Sequence, residues 1–166
     1  MLGLKRKASP KEIADLLLQF TVLEPPHRQL VMSSVSHFDE YQKGKIRDEI
    51  MFLDLAVIGS LMQTNRVKQC WPKSENIVFE YIEGLKNITE LGGLGFDSLL
   101  GSVEVRERAY QGVFEKPLNV ARFGVGQKFA ALCGLENDSS VEIAGSGEFV
   151  SVVNYIGDLL GRYRMV

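Results

Sequence analysis

Residues 50–62 read Ile-Met-Phe-Leu-Asp-Leu-Ala-Val-Ile-Gly-Ser-Leu-Met, an apolar run broken by one charge, Asp54. As a helix, the run carries apolar groups on nearly every side, and such a helix belongs in the middle of a bundle or in a subunit interface. It is shorter than the 18 or so apolar residues that a bilayer-spanning helix needs. Upstream, Asp39, Glu40, Lys43, Lys45, Arg47, Asp48 and Glu49 alternate in sign, while Phe38, Tyr41, Ile46, Ile50, Leu53, Val57 and Leu61 follow a 3.6-residue period. The pattern predicts one long helix from Ser33 or Ser36 to Gln63, amphipathic at first and then apolar all round.

Shorter helices flank it. Ser9, Pro10 and Glu12 form a start signal, with a capping serine, a proline at the first helical position and a glutamate that completes the capping box. Ile13, Leu16, Leu17, Phe20 and Leu23 continue that helix until Glu24-Pro25-Pro26 stops it. A third begins at Lys73 or Ser74, carries Ile77, Val78, Tyr81, Ile82, Leu85 and Ile88, and ends at the glycines around residues 92–95. Asp97 then caps a fourth, which Lys116-Pro117 ends. The fifth runs from Val120 to Leu132, and the last stretch from Ser139 carries Phe149, Val150, Val153, Ile156, Leu159, Leu160 and Tyr163.

These readings give an all-α fold, a single compact domain of five to six helices over residues 1–166, bundled around the apolar helix. Residues 1–8 are expected to be a flexible basic tail. Most of the 16 glycines fall in the second half, which weakens helices there. Val103-Glu104-Val105 and Val141-Glu142-Ile143 leave an α+β alternative with short strands in the C-terminal half.

Composition excludes several classes. With 45% hydrophobic and 24% charged residues, the chain is neither disordered nor collagen-like. A net charge of -2 gives no electrostatic case for nucleic acid, and the basic residues at the two ends lack interleaved aromatics. Cys70 and Cys133 form no CxxC pair, and with only His27 and His37 they make no zinc site at usual spacing. Two free thiols in a reducing cytoplasm are expected, with no cofactor and no membrane span.

Chemistry-bearing motifs are sparse. His37 and Glu40 are three apart near a helix start, but the diiron Glu-x-x-His order is reversed and occurs once. Ala144-Gly145-Ser146-Gly147-Glu148 has the place of a phosphate-cradling turn but lacks its third glycine and a lysine. It therefore reads as a loop in which Ser146 caps the final helix. Gly157 and Gly161 form a small-xxx-small pair suited to close packing within a bundle, with a dimer contact as the alternative.

Asp54 is the sharpest residue, because a buried carboxylate must be paired, protonated or at an edge. Arg47, Lys45 or a side chain of a neighbouring helix is its expected partner. The leading functional expectation is a non-enzymatic interaction or regulatory module, a homodimer or partner-binding protein, with Leu53, Val57 and Leu61 at its interface. The alternative is a sensor or carrier of a small apolar ligand. Phe52, Met62 and Trp71 would line its pocket, with Met51 and Phe79, and Asp54 or Tyr81 would anchor the ligand. An enzyme using Asp54, Glu49, His37 or Tyr81 ranks third.

Overall fold

The computed structural model describes residues 5–22, 26–91 and 95–166, apart from the side chains of residues 26, 27, 90 and 91. The described chain is mostly helical: α1 (Pro10–Val22), α2 (Pro26–Ser34), α3 (Glu40–Met62), α4 (Asn65–Cys70), α5 (Ser74–Leu91), α6 (Phe96–Phe114), α7 (Leu118–Leu132) and α8 (Ser139–Arg162). Two three-residue strands, β1 (Arg6–Ala8) and β2 (Tyr163–Met165), pair in parallel.

Several helix starts follow from side-chain caps. The Glu12 N–H donates to Ser9 Oγ at 3.2 Å and the Ser9 N–H donates to Glu12 Oε2 at 2.8 Å, closing the capping box. Asp39 caps α3 by accepting from the Gln42 N–H at 2.8 Å, so that helix begins later than Ser33 or Ser36. Asp138 caps α8 by accepting from Ser140 and Val141. Asp97 lies in the first turn of α6, where Gly95 occupies the cap position.

Two short helices raise the number above the expected five or six. Pro26 begins α2 instead of only ending α1, because a proline fits a first helical turn, where its missing N–H costs nothing. Thr64 starts α4 by accepting from the Val67 N–H. The stops expected at residues 23–25 and 92–94 lie outside the described residues.

Helix replaces strand at 103–105 and at 141–143, which lie inside α6 and α8. Each triplet belongs to a longer helical window, and three alternating residues do not outweigh it. The expected loop at 144–148 is likewise the interior of α8, and its glycines have a packing role. A Cβ on Gly145 would stand 2.5 Å from the Phe129 side chain, and one on Gly126 would stand 2.4 Å from the Glu142 carbonyl oxygen. The two glycines therefore let α7 and α8 pack backbone to backbone. Ser146 does not cap α8; its hydroxyl ties the pair by donating to the Arg122 carbonyl at 2.8 Å. At Gly157 and Gly161, by contrast, a Cβ would meet nothing within 4 Å, so this pair makes no close helix contact in the chain.

Part of the basic tail forms strand β1. Arg6 pairs with Tyr163, Lys7 with Arg164 and Ala8 with Met165. Lys5 Nζ donates to the Leu160 carbonyl at 2.7 Å, and Trp71 Nε1 donates to the Tyr163 carbonyl at 3.3 Å. Ala8, at the end of this strand, is buried. Residues 1–4 lie outside the described part.

α3 is the central rod, between α8 on one side and α6 on another, with α1 paired to α5 and α7 to α8. Ile46, Ile50, Leu53, Ala56, Val57, Ile58 and Met62 are all sealed. Each large aliphatic side chain so buried contributes about 1.5–3 kcal/mol. Tyr155 fastens α8 to α1, stacking on Phe20 at 4.4 Å while its hydroxyl donates to the Leu16 carbonyl.

Candidate functional site

Two acids on α3 are buried, each with an arginine from another helix. Asp54 is 0% exposed and pairs with Arg28 of α2. Arg28 Nη2 also stands 3.7 Å from Glu148 Oε1 of α8, itself 0% exposed. The guanidinium is held further by the Thr21 carbonyl, to which Nη1 donates at 3.0 Å. Thr21 donates its hydroxyl to the Leu17 carbonyl, so the Tyr81 hydroxyl, 3.0 Å away, is the donor between those two.

This inclusion puts two carboxyls against one guanidinium. Burial pushes the Asp54 carboxyl well above the usual range, the charge of Glu148 adds to that, and Arg28 opposes it. Tyr81 is also raised, chiefly by burial, and so remains a neutral donor. Arg28 lines a cleft of about 420 Å³ with Met32, Ser33, Lys43 and Arg47, while Asp54 lies behind it. The arrangement closes the joint between α1, α2, α3 and α8.

The second inclusion lies between α3 and α6. Arg106 donates to Glu49 through Nε at 3.0 Å and Nη2 at 2.8 Å, and its guanidinium lies 4.5 Å from the Phe52 ring centre. Burial raises the Glu49 carboxyl, and the hydrogen bonds from Arg106 oppose the rise. Burial, with help from Glu49, pushes the Cys133 thiol up to about 12. That thiol stays protonated and is a poor nucleophile.

The expected pocket residues are thus dispersed. Asp54 and Tyr81 belong to the first inclusion, Phe52 lies beneath Arg106, and Met62 and Trp71 are packed into the core. None of the five lines any of the four principal clefts. Of the additional candidates, Met51 is half-buried and Phe79 is exposed. The expected interface residues face inward: Leu53 is 0% and Val57 1% exposed, and Leu61 is half-buried. They are spent on the core of one chain, because α6 and α8 already cover the central helix. His37 lies tilted against the Phe38 ring, Asp39 caps α3 and Glu40 pairs with Lys43, so that segment builds a helix start. Among the described residues, no three His, Cys, Asp or Glu side chains are placed to hold a metal ion. No helix among them is long and apolar enough to cross a membrane.

What sequence reasoning missed lies outside the bundle, on α7 and α8. Phe123 is 60% and Ile143 66% exposed, and Val120 is exposed one turn before Phe123. Phe123 and Ile143 rim a groove of about 460 Å³ whose lining includes Arg122, Glu142, Gly147 and Val150. The signal is helical phase. Ala121, Val125 and Phe129 make the buried row of α7, and a residue two positions from that row points the other way. Phe123 is such a residue, and Ile143 is its counterpart beside buried Val141. No family model, curated protein or solved structure matches this chain.

Proposed function

We propose that the chain is a helical protein–protein interaction module that self-associates through an apolar helix face. One observation carries this reading: Phe123 and Ile143 stand exposed at a groove between two tightly packed helices, with Val120 exposed one turn before Phe123 on α7. Large apolar side chains grouped on a surface and rimmed by charges are the usual composition of an association site. The rigid α7–α8 pair presents them without a loop that must first be ordered. The free thiols of Cys70 and Cys133 suit the cytoplasm, where this proposal places the protein. The interface moves from the Leu53, Val57 and Leu61 side of α3 to the outside of α7 and α8. The pocket alternative has no comparable support, since its residues sit in separate environments.

Light scattering of the purified chain over a hundredfold concentration range tests the proposal. The expected result is a mass that rises from one chain toward two. A mass of one chain throughout would overturn it.

A further inference from the structure

We infer that the α7–α8 groove pairs with the same groove of a second copy, antiparallel about a two-fold axis. The inference rests on the self-association reading and assigns its surface and geometry. Arg122 on α7 and Glu142 on α8 both line the groove, one on each wall. Within its own chain the Arg122 guanidinium lies over the Phe123 ring, 4.6 Å from its centre. Neither Arg122 nor Glu142 has an ion-pair partner among the described residues.

A groove with a cation on one wall and an anion on the other is complementary to itself. In a two-fold interface residue i meets j and j meets i, so a single Arg–Glu combination supplies two ion pairs. Inverting one copy over the other sets each Arg122 against the Glu142 of its mate, with the Phe123 rings between. Gly147 leaves room on the α8 wall, since a Cβ there would meet nothing within 4 Å. Ser146 lies beside Arg122 and Glu142 beside Gly126, so the same inversion brings each Phe123 ring toward the mate's Ile143. An unrelated partner would need a groove that complements it, without needing one that complements itself.

Charge reversal tests the pairing. Arg122→Glu sets glutamate against glutamate twice, and Glu142→Arg sets arginine against arginine twice. Each variant alone is expected to self-associate about tenfold more weakly, from two pairs turned from attraction to repulsion. Mixed together, the two variants regain both pairs, so a heterodimer should form with near wild-type affinity. The Arg122→Glu/Glu142→Arg double variant should self-associate like the wild type, at unchanged net charge. Sedimentation velocity of each sample and of the mixture gives the affinities, and circular dichroism confirms folding. A wild-type dimer that neither reversal weakens would overturn this surface while leaving self-association standing. Weakening without recovery in the mixture and in the double variant would overturn the two-fold pairing. A wild type that stays monomeric would overturn the self-association reading, and this inference with it.

Discussion

The apolar middle of α3 and the outer apolar residues of α7 and α8 meet opposite fates. Along residues 50–62 of α3 most large side chains are covered by helices of the same chain, Met51, Phe52 and Leu61 being half-buried, and the one acid is paired with Arg28. On α7 and α8, Phe123 and Ile143 remain in water although buried rows run along the same helices. Apolar density along a helix thus measures how many of its sides are covered. A contact surface is marked instead by apolar residues out of phase with the buried row.

Substitutions in the two regions therefore separate stability from association. Leu53→Asp puts a charge where no water reaches, and we expect a loss of about 5 kcal/mol, enough to unfold a marginal domain. Denaturant titration checks this, and a folded variant would refute the central place of α3. Arg28→Ala leaves Asp54 and Glu148 without their shared guanidinium and should cost about 3–5 kcal/mol in the same titration. Gly145→Ala drives a methyl into Phe129 and should cost about 1–3 kcal/mol by separating α7 from α8. It should also weaken association, because the groove is built on that contact.

A subtler effect comes from protons at Asp54. Its carboxyl is raised in the folded chain, so the native state holds the proton more firmly than the unfolded state does. Its stabilising contribution is therefore complete below the ordinary carboxylate range and is lost as pH rises through the raised value. Asp54→Asn keeps a neutral group there and leaves Glu148 to answer Arg28. Thermal midpoints from about pH 4 to 8 should fall for the wild type relative to this variant. Parallel curves would contradict the shift. Smallest of all in the monomer, Phe123→Glu should change stability by less than about 0.5 kcal/mol while abolishing association, as denaturation and light scattering together would show.

Much of this architecture is legible in the residues. The capping box at Ser9 and Glu12, the start of α5 at Ser74, the start of α8 at Ser139 and the central place of α3 all rest on local spacing. The short elements were not legible: α2 begins at a proline that also serves as a stop, α4 has six residues, and β1 and β2 have three each. The site suffered from those omissions. Arg28 belongs to α2, and Glu148 belongs to a segment that reads as a loop, so the partners of Asp54 were hidden while its need for one was plain. The α7–α8 groove was hidden for another reason. Its residues are scattered over two helices, and only the packing of Gly126 and Gly145 brings them together.

Hydroxyl-radical footprinting of the wild type at dilute and concentrated protein distinguishes the covered face from the open one, because it reads side-chain exposure residue by residue. We expect oxidation of Phe123 and Ile143 to fall on concentration. Phe79, 63% exposed on α5, should be unchanged, and Leu53 and Val57 protected in both samples. Unchanged oxidation of Phe123 and Ile143 in a sample that has dimerised would contradict the account.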